Sequence, residues 1–290
     1  MAAGPQHNSE NIPLSIQAIL KPRFNPRFVS AVLILCVEMI LPRAAFAIDW
    51  KNVEPGFDFA KYELGSPSAI LRPEAYLLKF NPKHFSFQSA IASTSPEPGK
   101  PPAADIRALT RESGGIAGIN ANFFDESGAP LGLIIYNSET RHKMQRGGRV
   151  LTGIFAVKSS GQFVIEHRDS FKTEDTWMAV QAGPRLVENG KPIEIGSSQE
   201  TSRRSGVAIT KNNEVILYAT VLRFPGATLG EIQGMLLDPA LDVTHALNLD
   251  GGGSSQLFIE SFSSLSGETF LSGGDPIPVG IVVKRKNSVP

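Results

Sequence analysis

The chain holds a single cysteine, Cys36, in 290 residues. It lies in an apolar run from Phe28 to Leu41, preceded by Lys21, Arg23 and Arg27 and followed by Ala45-Phe46-Ala47. Basic, apolar and small-x-small segments in that order are the signature of an export signal, here cleaved after Ala47. The mature chain then has no cysteine, which excludes disulfides, a thiolate nucleophile and a cysteine-held metal. Leu35 is too large for the position before a lipoprotein cysteine, so a lipid anchor is not expected. Glu38 interrupts the run, which is short for a spanning helix, and an uncleaved anchor stands as the alternative.

A charge excess is also missing, with 28 Lys and Arg against 28 Asp and Glu. Removing residues 1–47 takes away four basic and two acidic residues and leaves 24 against 26. Without a basic face or a basic-aromatic pattern there is no electrostatic footprint for nucleic acid. The remaining histidines, His84, His142, His167 and His245, lack metal-ligand spacing. Of these, His245 alone precedes a strand that could bring it near a site. About 240 residues suffice for one large domain with its own core.

What the sequence does contain is a succession of short apolar segments. Residues 48–73 are mixed and turn-rich and read as a lead-in, with regular structure expected from Glu74 and a single domain over 74–290. Ala75 to Phe80 and Phe85 to Gln88 flank Asn81-Pro82-Lys83 and read as a hairpin. Ser95 to Pro102 is a proline-rich loop, and Ala103 to Glu112 a helix ended by Gly114-Gly115. Further strands are expected at 116–119, 133–136, 153–157, 163–166, 177–180 and 186–187, with a hairpin joining 207–210 to 215–221. Thr228-x-x-Glu231 has capping-box spacing before Leu229, Ile232, Met235 and Leu236, which share a helical face. The fold class is α+β, a single domain dominated by mixed β-sheet with a few packed helices.

The most informative stretch is Ala246-Leu247-Asn248-Leu249-Asp250-Gly251-Gly252-Gly253-Ser254-Ser255. It carries one carboxylate from an apolar strand directly into backbone without side chains. Three consecutive glycines permit positive φ and close approach of a ligand to N–H groups, and two serines add hydroxyls. Turn glycines after Asp are common, yet a hairpin needs only one or two. Asn120 and Asn122, two apart after Ile116 to Ile119, would face one side in extended backbone.

These motifs occur in a fixed order: Gly118-Ile119-Asn120-Ala121-Asn122-Phe123-Phe124, Gly132, Gly183-Pro184, Gly190-Lys191, Arg204-Ser205 and the Asp250 stretch. Together, from about Glu74 to Val283, they resemble the phosphodiester glycosidase family. The resemblance implies hydrolysis of a sugar-1-phosphodiester, freeing the sugar at its anomeric carbon and leaving a phosphomonoester. The chain departs from the family pattern at Ala208, where glycine is frequent, and at Arg185, where an apolar residue is usual.

Roles follow from that chemistry. Asp250 is the expected catalytic carboxylate, as nucleophile or as base on water. Arg204 matches the family's Arg-Thr position, with Ser205 in place of Thr, and its guanidinium would fork onto phosphate. The alternative for Arg204 is a surface arginine beside Arg203, the usual fate of an Arg pair, and Arg203 itself is assigned no role. Asn120, Asn122, Ser205, Gly251, Gly252, Gly253, Ser254 and Ser255 are the expected substrate-binding residues; the two asparagines could instead orient Asp250 or cap nearby backbone. Phe123-Phe124 reads as core. Asp125 and Glu126 are candidates for a second carboxylate, or solvated loop acids. No cofactor is required; a divalent cation held by Asp250, Asn120 and phosphate is compatible with the sequence without being demanded by it. The expected partner is a carbohydrate or sugar phosphate in envelope or extracellular glycans, met in the periplasm or outside the cell; the oligomeric state is left open. The alternatives are a non-catalytic glycan-binding module on the same fold, or a glycosidase acting on a phosphate-free polysaccharide.

Overall fold

The computed structural model describes residues 48–65, 70–196, 199–221, 224 and 226–286. The export signal expected at residues 1–47, Cys36 included, lies outside the described residues. Among those described, no helix is long and apolar enough to cross a membrane.

Short β-branched and aromatic stretches bounded by turn residues give the structure its strands. In spatial order, the eight-stranded sheet comprises Lys51–Glu54, Phe57–Glu63, Glu74–Phe80, Val215–Thr220, Ser205–Thr210, Val243–Asn248, Arg185–Glu188 and Lys191–Pro192. One five-stranded sheet comprises Glu139–His142, Ile134–Tyr136, Thr176–Ala182, Gly153–Lys158 and Phe163–His167. The other comprises Gly267–Leu271, Leu257–Phe262, Ala117–Asn120, Val279–Arg285 and Phe85–Ile91. The domain is sheet-dominated, as expected, but its described strand pairs are all antiparallel rather than mixed.

Two α-helices accompany the sheets among the described residues. Ile106–Glu112 begins at Asp105, whose Oδ1 accepts from Ala108 N at 2.7 Å. Leu229–Leu236 carries the expected capping box: Thr228 Oγ1 accepts from Glu231 N, and Glu231 Oε2 accepts from Thr228 N.

All three sheets contribute to one apolar core. Phe57 and Phe80 come from the large sheet, Phe85, Phe87 and Ile281 from one small sheet, and Phe155, Phe163 and Val180 from the other. Between sheets the rings meet edge to face, with centroids 5.3 Å apart for Phe80–Phe85 and 5.1 Å for Phe87–Phe163.

Two expectations are corrected here. Regular structure begins at Lys51 rather than Glu74. Phe57–Glu63 pairs along its whole length with Glu74–Phe80 and buries Phe57 and Ala60. Its charged residues, which read as loop, are cross-strand partners: Asp58 with Lys79 at 3.3 Å, and Lys61 with Glu74 at 3.6 Å. Nor do Glu74–Phe80 and Phe85–Ile91 form a hairpin, because they belong to different sheets. Asn81 O accepts from His84 N and Phe85 N, and the chain turns a corner from one layer into the next. A local turn signal is the same for both arrangements; the bulky Phe80 and Phe85 on either side favour the corner, where both are buried.

The opposite ends of the domain are joined by charge. Arg285 Nε donates to Glu54 Oε1 at 2.9 Å, and its Nη2 to Glu260 at 2.6 Å. These exposed pairs contribute little to stability beside the aromatic core. Phe85→Ala is expected to cost about 3–5 kcal/mol, read in urea as a lowered midpoint with an unchanged slope.

Candidate active site

Val243–Asn248 runs inside the large sheet between Ser205–Thr210 and Arg185–Glu188. Its buried Ala246 and Leu247 fix the strand in register, so that Asp250 emerges where the chain leaves for Leu257–Phe262 in a small sheet. The Asp250 peptide is held from both sheets. Its N–H donates to Ala121 O at 3.1 Å, while its carbonyl accepts from Asn120 Nδ2 and Ser205 Oγ, each at 2.7 Å.

The Asp250 side chain is largely buried in its own turn. Oδ1 accepts from Gly251 N at 2.9 Å, and the Ser254 hydroxyl also bonds the carboxylate. Burial pushes its pKa up from 3.8 to about 6 against those two hydrogen bonds, and the negative charge of Asp275 adds to the rise.

The triple glycine has two distinct geometric requirements. Gly252 has φ +62°, a left-handed conformation from which the chain enters the 3₁₀ turn Gly252–Ser254. A Cβ on Gly253 would lie 2.0 Å from Asp275 Oδ2. Gly253 O in turn accepts from Gly274 N and Asp275 N at 2.8 and 3.2 Å, which seats Asp275 against the Asp250 turn.

Several residues expected to bind substrate have hydrogen-bond partners within the fold. Asn120 is fully buried; besides Asp250 O it bonds Gln256 N, through Oδ1 at 3.0 Å. Asn122 Nδ2 donates to the carbonyls of Leu131, Leu133 and Gln181. The two asparagines therefore have different targets, because backbone beyond Asn120 is no longer regular strand. Of the glycine amides expected to meet phosphate, Gly251 N is committed to Asp250 and Gly252 N to Arg203 O at 2.9 Å. Ser205 holds the Asp250 carbonyl, and Ser255 is fully buried.

Arg204 reaches the same turn. Its Nε donates to Ala227 O at 3.0 Å and Nη2 to Glu200 O at 2.9 Å, while Nη1 comes within 3.9 Å of the position a Cβ on Gly251 would take. Burial lowers its pKa, with the charge of Glu200 opposing, yet a guanidinium stays protonated. Arg203, assigned no role from the sequence, is buried: Nη1 donates to Ser272 O at 2.7 Å and its carbonyl holds Gly252.

Sequence reading missed Gln256 and Asp275. Gln256 is buried, accepts from Ile106 N at 3.0 Å and donates to Asp275 O at 2.7 Å, linking a helix start to the carboxylate-bearing loop. The available signal for Asp275 was Gly273-Gly274-Asp275, a second close association of glycines with an aspartate. Asp125 serves its own loop: Oδ1 accepts from Ser127 N, Ser127 Oγ and Ala129 N, which lower its pKa. Glu126 is exposed. His245 pairs with Ile209 five residues before Asp250, roughly 17 Å back along the strand at 3.4 Å per residue. Phe123 and Phe124 pack against apolar core. Among the described residues, no three His, Cys, Asp or Glu side chains gather as a metal cluster. Two surface concavities, of about 260 Å³ beside Asp238 and about 810 Å³ beside Trp177, lie away from the Asp250 turn.

The family model for phosphodiester glycosidases matches residues 113–284, a span containing the Asp250 turn, Arg204 and Asp275. The chain belongs to the phosphodiester glycosidase family. A curated relative, the uncharacterized Escherichia coli (strain K12) protein YigE, is 32% identical over 108 residues, covering 34% of this chain and 42% of that protein. The match thus spans less than half of the relative's length. A solved hypothetical protein from Synechocystis superposes with a TM-score of 0.58 at 17% identity, covering 84% of this chain and 64% of that one. The catalytic domain of zebrafish N-acetylglucosamine-1-phosphodiester alpha-N-acetylglucosaminidase, auto-inhibited by its pro-peptide, superposes with a TM-score of 0.57 at 17% identity, covering 83% and 87%. At such identity the two structures show a shared fold.

The hydrogen bonds to the Asp250 peptide can be weighed separately. Ser205→Ala removes one donor and is expected to cost about 1 kcal/mol; Asn120→Ala leaves both Asp250 O and Gln256 N short of a partner and should cost about 2–3 kcal/mol. Urea unfolding of the two variants measures the difference.

Proposed function

We propose that this domain hydrolyses the bond between a sugar's anomeric carbon and a phosphodiester. The observation that supports the reading is the Asp250 carboxyl, fixed through its own peptide by Asn120, Ser205 and Ala121, with a pKa of about 6 and Arg204 at the same turn. Asp250 attacks the anomeric carbon or takes a proton from the attacking water. The bond from that carbon to the phosphate oxygen breaks, its electron pair leaves with the phosphomonoester, and water supplies the new anomeric hydroxyl. Arg204 stabilises the negative charge gathering on the departing phosphate, which makes a strong general acid unnecessary.

Asp275 takes the place of the second carboxylate that Asp125 and Glu126 do not supply. Its charge helps keep the Asp250 pKa high, tuning the proton affinity toward neutral pH. Export, read from residues 1–47, assigns the activity to envelope or extracellular glycans. The zebrafish enzyme's name makes N-acetylglucosamine-1-phosphodiesters the first substrates to assay.

The ionised form of Asp250 does the work, so kcat/KM should fall about tenfold per pH unit below about 6 and level off above it. Asp250→Asn should reduce turnover at least a thousandfold and Arg204→Lys about a hundredfold, measured as sugar release. Full activity in Asp250→Asn, or no release from a panel of sugar-1-phosphodiesters, would sink the proposal.

Stability should move the other way. A carboxyl whose pKa is higher folded than unfolded favours the fold below its unfolded value, 3.8, and loses that contribution as pH rises through about 6. Ionised Asp250 therefore costs up to about 3 kcal/mol at neutral pH. The Asp250→Asn protein is expected to melt no lower than the parent at pH 7.5, with a flatter dependence between pH 4 and 7.

A further inference from the structure

The chain has two tryptophans, in contrasting settings. Trp50 packs against the apolar core with Lys79 Nζ 4.3 Å from its ring centre. Trp177 is 41% exposed. Its exposure has a backbone cause: the pairing of Thr176–Ala182 with Gly153–Lys158 slips between Thr176 and Met178, and Trp177 is the residue skipped. Such a bulge re-aims its side chain.

Trp177 faces an open groove of about 810 Å³. Tyr136, Asn137 and Arg141 line it with Trp177, and Gln88 and Lys284 come from another sheet. The first wall is held in shape. Asn137 and Ser138 make a turn with φ of 49° and 63°, Ser138 N donates to Trp177 O at 2.8 Å, and the Arg141 guanidinium stands 5.7 Å from the Tyr136 ring centre. Lys284 Nζ donates to Gln88 Oε1 at 3.4 Å. An exposed indole among amide, guanidinium and ammonium groups offers an apolar plane for ring C–H bonds and hydrogen-bonding groups at its edge.

We propose that this groove binds the pyranose rings of an oligosaccharide, gluco-configured so that its axial C–H face stacks on Trp177. The site is separate from Asp250. Trp177 is the second residue of the strand whose far end leads to Gly183, and Gly183 O accepts from Asn248 Nδ2 at 3.0 Å beside the Asp250 turn. The six intervening steps amount to about 20 Å of strand. The groove would hold a polymeric glycan while a distant phosphodiester is cut. The choice of a sugar over a peptide rests on the glycosidase reading.

Calorimetry on the Asp250→Asn protein with cellohexaose and with chitohexaose separates binding from turnover. Heat with a Kd below about 1 mM is expected for at least one hexasaccharide, weakened at least tenfold by Trp177→Ala and largely retained in Trp177→Phe. With Asp250 intact, Trp177→Ala should leave turnover of a small sugar-1-phosphodiester unchanged. No heat from either hexasaccharide at millimolar concentration, or equal affinity in Trp177→Ala, overturns the groove. Trp177-dependent heat without turnover in the parent protein overturns the glycosidase reading and leaves the groove standing; turnover without heat does the reverse.

Discussion

The carbonyl of Asp250 is gripped by two side chains from two different sheets, Asn120 and Ser205. That joint orders much of the surrounding structure. Asn120 also holds Gln256, and Gln256 reaches both the start of Ile106–Glu112 and the loop carrying Asp275. Ser205 begins the strand that pairs with Val243–Asn248. A buried polar network of this kind stabilises only when its members are satisfied together, which couples the position of the carboxylate to the mutual placement of the layers.

The same joint explains how an acid can be held in place while its pKa is raised. Since Asn120, Ser205 and Ala121 fix the Asp250 main chain, its side chain need not be anchored by a cation that would depress its pKa. Arg204 spends Nε and Nη2 on carbonyls and meets the turn with its remaining nitrogen. Positive charge is thus available at the turn without a direct ion pair to Asp250 among the described contacts.

Much of this was legible in the residues. Thr228-x-x-Glu231 marked a helix because its capping bonds are local, and the Asp250 stretch stood out because an apolar strand ending in glycines has few other uses. What escaped notice depends on distant partners. Asp58 and Lys61 read as loop until the neighbouring strand brings Lys79 and Glu74 within reach of them. Gln256 and Asp275 gain meaning only when Asn120 and Gly253 are brought alongside. Arg203 is buried and Arg204 only part-buried, a difference invisible in an Arg pair because it is set by the distant carbonyls of Ser272, Ala227 and Glu200.

Covalent order and spatial order part company at the Glu54–Arg285 contact. The earliest and latest of the described strands, which belong to different sheets, meet there through one ion pair. A linker between these ends would have a short gap to cross, and the domain could be reopened at an exposed turn elsewhere with its layers undisturbed.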